Sequence, residues 1–442
     1  MMDKTTATKT SEIAKAMRRL QKEQLYNRAN EAKKNGIPIA YLMVGLRGQA
    51  ELLDAFDVVP VYTENYGALC AAKRVAQGFI DEAVAEGYSR YLCSYATIGI
   101  GFCSIKDKTG VVPPEAPDGG MPDPDMMIAS SRHCEPRYKW YQTLARYVKA
   151  PYFSYDFLSP PPGLNPERRE AHIQYQIGEY RRLADFLSSQ TGKKLDLDRL
   201  DEIVETHQET CDLWHECYEL RKAVPSPMAS SDMFSCLIPG LYLSGNKQAQ
   251  GLYRQLRDEI KAKVATKQGV LSNEKYRLLF VGLPPWHSMQ ILNYLEPMGA
   301  AFVMETDYYF HAYNPPLQTK CSDPIERIVR RIYERLDLGD RRTALSGMTP
   351  TQMLVARFGP LRGLIDEYHI DGVVIHNVRT CRTASVGRMF QRRQLQTFTD
   401  LPVMFLQSDM GDAREFSEEQ VKGQLLAFLE TVATFKEKRR QV

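Results

Sequence analysis

The chain has 442 residues, of which 43% are hydrophobic and 25% are charged, a composition typical of a globular protein with two or three domains. Its 57 basic and 54 acidic residues nearly cancel, so its charge gives no reason to expect a nucleic acid or an anionic membrane as a partner. No apolar run approaches the roughly 18 residues of a membrane span, and the first residues lack the apolar core of a secretory signal. The nine cysteines lack the spacing of a disulfide framework, which is typical of proteins of the reducing cytoplasm. Together with the missing signal pattern, this predicts a cytoplasmic protein.

A helical pattern over residues 11–34 opens the chain, and short apolar runs then alternate with further helical patterns. The first runs predict strands at 37–44, 58–62, 91–96, 125–130 and 151–156. A proline-rich break at 157–170 leads into long charged helices with little strand signal. A second alternating block predicts strands at 276–284, 299–310, 372–378 and 401–409, and a capping box at Ser417 opens the last helix.

Strands that alternate with helices favour parallel sheets covered by helices. The order of the elements predicts an α/β protein with two flavodoxin-like parallel-sheet domains and a helical N-terminal and middle segment. We expect an N-terminal helical segment at 1–36, a first α/β domain at 37–165, a helical segment at 166–270 and a second α/β domain at 271–442. The letters alone leave open whether the two α/β blocks share one fold.

Two glycine-containing stretches are similar to nucleotide-binding loops but lack residues that such loops need. In GLYLSGNK at 240–247, Asn246 interrupts the Gly-Lys-Ser/Thr of a P-loop, and Gln248 replaces its hydroxyl residue. GIGFCS at 99–104 lacks the third glycine of a dinucleotide-binding loop. The sequence therefore predicts that neither ATP nor NAD binds through a standard loop.

Three cysteines, Cys93, Cys134 and Cys381, each follow a predicted strand and precede a predicted helix. Ligands of open α/β sheets bind at the carboxyl ends of the strands. The free N–H groups and the positive dipole of a helix N-terminus there lower a thiol's pKa and suit the sulfides of an iron–sulfur cluster. Three thiolates are one short of a closed four-ligand site, so one coordination position stays open to a substrate.

Other interpretations of these cysteines remain open. Each one, taken alone, could be a buried structural residue, because free cysteine is among the most buried residue types. Cys134 could also be a nucleophile, although its neighbour His133 is not oriented on the sulfur merely by being adjacent in the chain.

A second polar set lies on one face of a predicted helix, at His207, Cys211 and His215. The ends of this set are ~12 Å apart along the helix axis, too far for one metal ion to bind all three. We interpret it as a solvated polar stripe with a half-buried cysteine.

Five stretches together resemble one enzyme family. They are AELLDAFDVVPVYTENYGALCAAK at 50–73, LCSYA at 92–96, RHCEP at 132–136, HNVRTCR at 376–382 and FLQSDMGDAREFSEEQV at 405–421. From about residue 37 to the C-terminus, the chain resembles the subunits of 2-hydroxyacyl-CoA dehydratases and benzoyl-CoA reductases. The Glu64-Asn65-Tyr66-Gly67 stretch and the Arg132-His133-Cys134 form are most similar to the larger cluster-bearing subunit, the B-type subunit, of the ATP-dependent benzoyl-CoA reductases.

The resemblance implies a [4Fe–4S] cluster held by Cys93, Cys134 and Cys381. It implies a homologous cluster-bearing partner subunit, an acyl-CoA substrate, and a separate ATPase that injects electrons taken from ferredoxin. The implied activity is that of an oxidoreductase that transfers low-potential electrons to the aromatic ring of benzoyl-CoA and yields a cyclohexadiene-carboxyl-CoA. The alternatives are a subunit of a 2-hydroxyacyl-CoA dehydratase and, from another class, a non-catalytic scaffold stabilised by zinc.

Histidine and arginine residues flank the proposed ligands. His133 is the candidate catalytic residue, because ring reduction needs protons as well as electrons. The alternative is a histidine that binds a carbonyl and orients the loop. His376 and Arg382, on either side of Cys381, have the same two interpretations, and the charge of Arg382 could also tune the potential of a cluster.

Three acidic residues in or beside the matching stretches need separate interpretations. Gln49-Ala50-Glu51 stands where the dehydratases tend to carry a proline-glutamate pair, so we expect Glu51 to be an ordinary carboxylate at a helix start. Asp409 and Asp412 match the acidic end of the family's last strand, either as helix caps or as partners of site residues.

Overall fold

The computed structural model describes residues 11–44, 48–132, 134–160, 164–243, 245–313, 317, 321–341 and 360–441. The strands are β1 (Ile39–Leu42), β2 (Val59–Tyr62), β3 (Met126–Ser130), β4 (Tyr152–Tyr155), β5 (Tyr276–Val281), β6 (Ala300–Glu305), β7 (Gly372–Val378) and β8 (Val403–Ser408). The α-helices are α1 (Glu12–Gln21), α2 (Arg28–Lys34), α3 (Gln49–Ala55), α4 (Thr63–Ala72), α5 (Ala76–Ala85), α6 (Ser94–Thr109), α7 (Glu135–Leu144), α8 (Pro166–Thr191), α9 (Leu197–Leu220), α10 (Ser230–Tyr242), α11 (Lys247–Ala265), α12 (Thr306–Ala312), α13 (Pro324–Arg341), α14 (Pro360–Glu367), α15 (Arg388–Phe398) and α16 (Glu418–Gln441). In the described part of the chain, no helix combines the length and the apolarity needed to cross a bilayer.

The strands form two parallel sheets with the same strand order, β2-β1-β3-β4 and β6-β5-β7-β8. Both orders match the first four strands of the flavodoxin-like order 2-1-3-4-5, so the prediction of two parallel α/β sheets is confirmed. The chain reverses its direction of winding between β1 and β3 in one sheet and between β5 and β7 in the other. Such a reversal leaves a crevice outside the carboxyl ends of the two strands, where ligands of this fold class bind. The region boundaries 1–36, 37–165, 166–270 and 271–442 stay a prediction.

The strands form because their sequences are short continuous apolar runs, which are typical of parallel sheets covered on both faces. In β1, β2 and β3 every residue is buried. Helix α16 packs with the apolar stripe that the sequence predicts, since Val421, Leu425, Phe428 and Val432 are all buried.

The strand predicted at 91–96 is wrong. Tyr91 and Leu92 lie in an exposed turn, and α6 begins at Ser94. Every residue from 94 to 104 is buried, so this helix is enclosed on all sides at its start. A helix that is buried on all sides has no apolar stripe with a 3.6-residue period, and a short piece of it cannot be distinguished from a buried strand by periodicity.

A fully buried ion pair joins the helical middle segment to the second sheet. The guanidinium of Arg221, just after α9, donates to both carboxylate oxygens of Glu305 at the end of β6, at 2.9 Å each. Arg221 also donates to the carbonyl of Met228 and the hydroxyl of Ser230. Because these acceptors satisfy the buried charge, the pair fixes where the helices meet the sheet.

A second buried pair joins α9 of the middle segment to α3, the helix between β1 and β2. Glu51 accepts a hydrogen bond from the Gly48 N–H at the start of α3, which is the helix-start role that the sequence predicts. Its other oxygen lies 2.6 Å from Nδ1 of His207 in α9. Burial lowers the pKa of His207, but Cys211 and Glu51 outweigh that effect and raise it to about 10. Burial likewise opposes the carboxylate of Glu51, yet His207 holds the pKa of Glu51 below its usual value.

We expect His207→Gln to lower the free energy of unfolding by about 3–5 kcal/mol, because it leaves the Glu51 carboxylate buried without its charged partner. Since folding raises the pKa of His207 above its value of about 6.5 in an unfolded chain, the stabilisation is complete below that pH. It is lost as the pH rises through about 10. The difference between wild type and variant in urea unfolding should therefore be largest at about pH 6 and small above about pH 10.

The matched control is Arg257→Gln, which removes a partly exposed ion pair with Glu216. We expect it to lower the free energy of unfolding by less than about 1 kcal/mol, and we expect this effect not to change between about pH 6 and about pH 10. A His207→Gln effect that stays constant from about pH 6 to about pH 10 would contradict this account of the pair.

Candidate functional site

The three candidate cysteines stand at the ends of different elements. Cys134 follows β3 and is the N-cap residue of α7. Cys381 follows β7, but a turn over 381–387 separates it from α15, so it does not start a regular helix as expected. Cys93 is the N-cap residue of α6 and is preceded by a turn instead of the predicted strand. Thus Cys134 and Cys381 lie beside the two switch points, and Cys93 reaches the same region from a helix start.

The thiols of these cysteines share one electrostatic environment. Burial raises the pKa of Cys93, and negative charge on Cys381 and Cys134 raises it further. Burial also raises the pKa of Cys381 to about 11, again with a contribution from Cys134. Contacts between the neighbouring residues show that the three segments lie side by side. Ser94, next to Cys93, donates its N–H to Thr380, next to Cys381, at 3.2 Å, and Arg382 lies 3.6 Å from Glu135, next to Cys134.

The expectation that helix starts lower the pKa of these thiols is wrong. The backbone N–H groups of Ala96, Arg137 and Ala384, each three residues after its cysteine, do act in that direction. Burial is the larger effect in each case, since it penalises a thiolate in a medium of low polarity. All three thiols therefore have a pKa above the ordinary value.

A buried ion pair supports Cys134. Arg137, in the first turn of α7, donates from Nε to Glu64 at 2.6 Å and makes a second, short bond from Nη2 to the same carboxylate. Glu64 also accepts the backbone N–H of Val44, just beyond β1, and Arg137 donates to the carbonyl of Val44. This pair locks the start of α7 onto the end of β1, across the first switch point. The charge of Arg137 acts to lower the pKa of Cys134, after the larger opposing effect of burial.

Acidic residues after β8 support the loops of the other two cysteines. Asp409 is fully buried and accepts hydrogen bonds from Thr380, which precedes Cys381. Asp412 accepts the backbone N–H of Arg414 and so caps the short helix Ala413–Glu415. Each carboxylate combines the two interpretations that the sequence leaves open. Asp409 also accepts the N–H groups of Gly411 and Asp412, and Asp412 also pairs with Arg90, three residues before Cys93.

Other flanking residues have clear positions. His376 is fully buried, with its ring nitrogens paired to the carbonyl of Leu283 and the hydroxyl of Ser408, and burial lowers its pKa to about 4. It is therefore a structural residue. Arg382 is exposed and lies 3.6 Å from Glu135, the residue after Cys134. The candidate catalytic residue His133 lies outside the described residues.

The second polar set is not the solvated stripe that the sequence suggests. His207 and Cys211 are buried, and His215 is partly exposed. The two nitrogens of His207 are paired with Glu51 and with the carbonyl of Gly240. The face of α9 that carries His207 can be buried because Glu51 satisfies the charge and the hydrogen bonding of the imidazole.

The donor set fits an iron–sulfur cluster. Iron–sulfur clusters are held by cysteine thiolates and accept N–H hydrogen bonds at their sulfurs. Cys93, Cys134 and Cys381 are half-buried thiols, each with a backbone N–H group directed at it, so they are donors of this kind. Within the described residues, no group of three His, Cys, Asp or Glu side chains is arranged to hold a single metal ion.

Reasoning from the sequence missed several residues of this site. Glu64 lies inside a stretch that carries the resemblance, but its partner Arg137 is 73 residues away. Thr380 and Ser94 adjoin the candidate ligands, and this adjacency is the signal that could have identified them.

Comparison with known proteins agrees with the five matching stretches. The family model of the 2-hydroxyglutaryl-CoA dehydratase D-component matches residues 49–432. The (R)-phenyllactyl-CoA dehydratase alpha subunit of Clostridium sporogenes is 25% identical over 413 residues, which is 92% of this chain and 93% of that protein. The (R)-2-hydroxyisocaproyl-CoA dehydratase alpha subunit of Clostridioides difficile is 25% identical, with coverage of 92% and 93%. The B-type subunit of the benzoyl-CoA reductase of Thauera aromatica is also 25% identical, with coverage of 93% for both chains.

The family model covers most of the chain, including Cys93, Cys134 and Cys381, so the resemblance is confirmed. The relatives include dehydratase subunits and a reductase subunit at the same identity. The chain belongs to the family of the 2-hydroxyglutaryl-CoA dehydratase D-component.

Proposed function

We propose that this chain is the iron–sulfur subunit of a complex that acts on acyl-CoA substrates, with Cys93, Cys134 and Cys381 as ligands of a [4Fe–4S] cluster. The observation that carries the proposal is the contact between the segments of three half-buried cysteines beside the switch points of two sheets, through Ser94 and Thr380 and through Arg382 and Glu135. Membership of a family of acyl-CoA dehydratase subunits supports the substrate class.

The chain's own groups prepare the site for an anionic cofactor. The N–H groups of Ala96, Arg137 and Ala384 favour negative charge at the three sulfurs, and the guanidinium of Arg137 adds a positive charge near Cys134. Glu64 compensates that positive charge within the protein, so the site is not strongly basic. When bound, a cluster of this kind would supply electrons of low potential to the acyl group.

Within this family we propose a benzoyl-CoA reductase subunit of the B type, in which ring reduction consumes electrons delivered by an ATPase and ferredoxin. The partners would be a homologous cluster-bearing subunit and the ATPase. The similarity to the Thauera aromatica reductase subunit along nearly the whole chain supports this assignment. Two dehydratase alpha subunits are equally similar, so a 2-hydroxyacyl-CoA dehydratase subunit is the second candidate.

The two activities differ in electron use, so oxygen-free assays of the complex distinguish them. We expect benzoyl-CoA to be reduced with net consumption of electrons and with ATP hydrolysis in proportion to product. A dehydratase would instead convert a 2-hydroxyacyl-CoA to its enoyl-CoA while reusing one electron over many turnovers. Turnover of the hydroxyacyl-CoA without net electron consumption would contradict the reductase assignment.

His133 is proposed as a proton donor, because it adjoins the candidate ligand Cys134 and ring reduction requires protons. We expect His133→Gln to slow turnover by about 10²-fold, the lower end for loss of a general acid, while the iron content stays that of the wild type. Product formation measured under saturating reductant tests this. Unchanged turnover would assign His133 to the orienting role instead.

A further inference from the structure

We propose that Asp409 is a positioning residue that holds the loops of Cys93 and Cys381 in fixed relation to each other, with the hydroxyl of Thr380 as the link. The inference rests on the proposed function only in taking these two cysteines as cluster ligands. The hydrogen bonds that carry it belong to the chain itself.

Asp409 is a buried carboxylate saturated with hydrogen bonds. Its Oδ2 accepts the N–H of Thr380 at 3.2 Å and the hydroxyl of Thr380 at 2.5 Å. Its Oδ1 accepts the N–H groups of Gly411 and Asp412 at 2.8 and 2.9 Å. Four donors make a negative charge tolerable in the interior, and they fix the carboxylate relative to β8 and to the loop after β7.

The hydroxyl of Thr380 also binds the segment that carries Cys93. Its oxygen accepts the N–H of Ser94 at 3.2 Å while its hydrogen is donated to Asp409. Ser94 is the first residue of α6, so its N–H has no partner within the helix. Thr380 precedes Cys381 and Ser94 follows Cys93, so one side chain connects the backbones next to both cysteines.

Packing at the same place leaves little freedom. Ser94, Thr380 and Asp409 are all buried, so water does not compete for these hydrogen bonds. A Cβ on Gly411 would lie 2.8 Å from the hydroxyl oxygen of Ser94, so the segment after β8 is pressed directly onto the start of α6. The chain can approach this closely because residue 411 has no side chain.

Ion pairs outside this core connect the same segments. Arg90, three residues before Cys93, and Arg379, two residues before Cys381, both bind Glu415, at 2.9 and 2.5 Å. The arginine side chains are 37% and 52% exposed, so these pairs contribute little by themselves. The buried bonds of Asp409 and Thr380 are therefore the dominant constraint, and Cys134 has a separate support in Arg137 and Glu64.

The test compares Thr380→Val, which keeps the shape but removes the hydroxyl, with Thr380→Ser, which keeps the hydroxyl. Rates of alkylation by iodoacetamide are measured for each cysteine in the metal-free chain by peptide mass spectrometry. We expect Thr380→Val to speed the reaction of Cys93 and Cys381 by roughly tenfold, the change that about 1.4 kcal/mol of lost hydrogen bonding produces. Cys134 should keep its rate, and Thr380→Ser should behave as the wild type.

The control for the carboxylate is Asp371→Asn. Asp371 accepts the N–H of Arg277 in β5 and precedes β7, so it lies at the amino ends of the strands, whereas Asp409 follows the carboxyl end of β8 in the same sheet. We expect Asp409→Asn to speed alkylation of Cys93 and Cys381, and Asp371→Asn to leave both rates unchanged. A change at Cys381 alone, or an equal change at all three cysteines, would overturn the inference.

A second readout uses the iron-loaded chain. Thr380→Val should shift the reduction potential and the electron paramagnetic resonance spectrum of the cluster, whereas Thr380→Ser and Asp371→Asn should not. Absence of iron from the wild-type chain would count against the proposed function, and the alkylation test of the positioning role would still stand. Unchanged potential and spectrum in Thr380→Val would count against the positioning role even with iron present.

Discussion

The site depends on a constraint of topology, because its three thiols come from elements that belong to two separate sheets. Cys134 follows the third strand of the first sheet, and Cys381 follows the corresponding strand of the second. Two buried carboxylates hold the segments of these thiols in place. Glu64 ties α7 to the end of β1 through Arg137, and Asp409 ties the loop after β7 to the start of α6 through Thr380. Each carboxylate joins segments that are distant in sequence, next to one of the three candidate cysteines.

The same buried groups explain the electrostatics of the site. A thiol among apolar neighbours loses its proton less readily, and burial is the largest effect on all three cysteines. The N–H groups three residues further on oppose it without reversing it. The site therefore combines partial burial of the thiols with donors that favour negative charge, and a metal would supply the positive charge needed for the thiolates.

Much of the fold could be predicted from the sequence because parallel strands are short apolar runs with clear ends. The strand near residues 91–96 could not, since the buried start of α6 presents the same continuous apolar letters. Cys93, Cys134 and Cys381 are candidate ligands because of their places at the ends of elements, and their role as ligands stays a prediction, although Cys93 follows a turn. The sequence leaves two roles open for Asp409 and does not reveal the ion pairs of Arg137 and His207, because each of these contacts joins residues at least 29 positions apart. Local patterns carry no information about such contacts, nor about whether burial or a helix start dominates the pKa of a thiol.

If Cys93, Cys134 and Cys381 hold one iron–sulfur cluster, the iron content of the complex depends on all three. Iron and acid-labile sulfide are measured on the complex purified without oxygen. We expect about four of each per chain for the wild type, with loss of both in Cys93→Ser, Cys134→Ser and Cys381→Ser. Cys211→Ser, which changes a buried cysteine outside the site, should keep the wild-type content. Zinc in place of iron, or a wild-type complex that is folded and free of both iron and sulfide, would contradict the account.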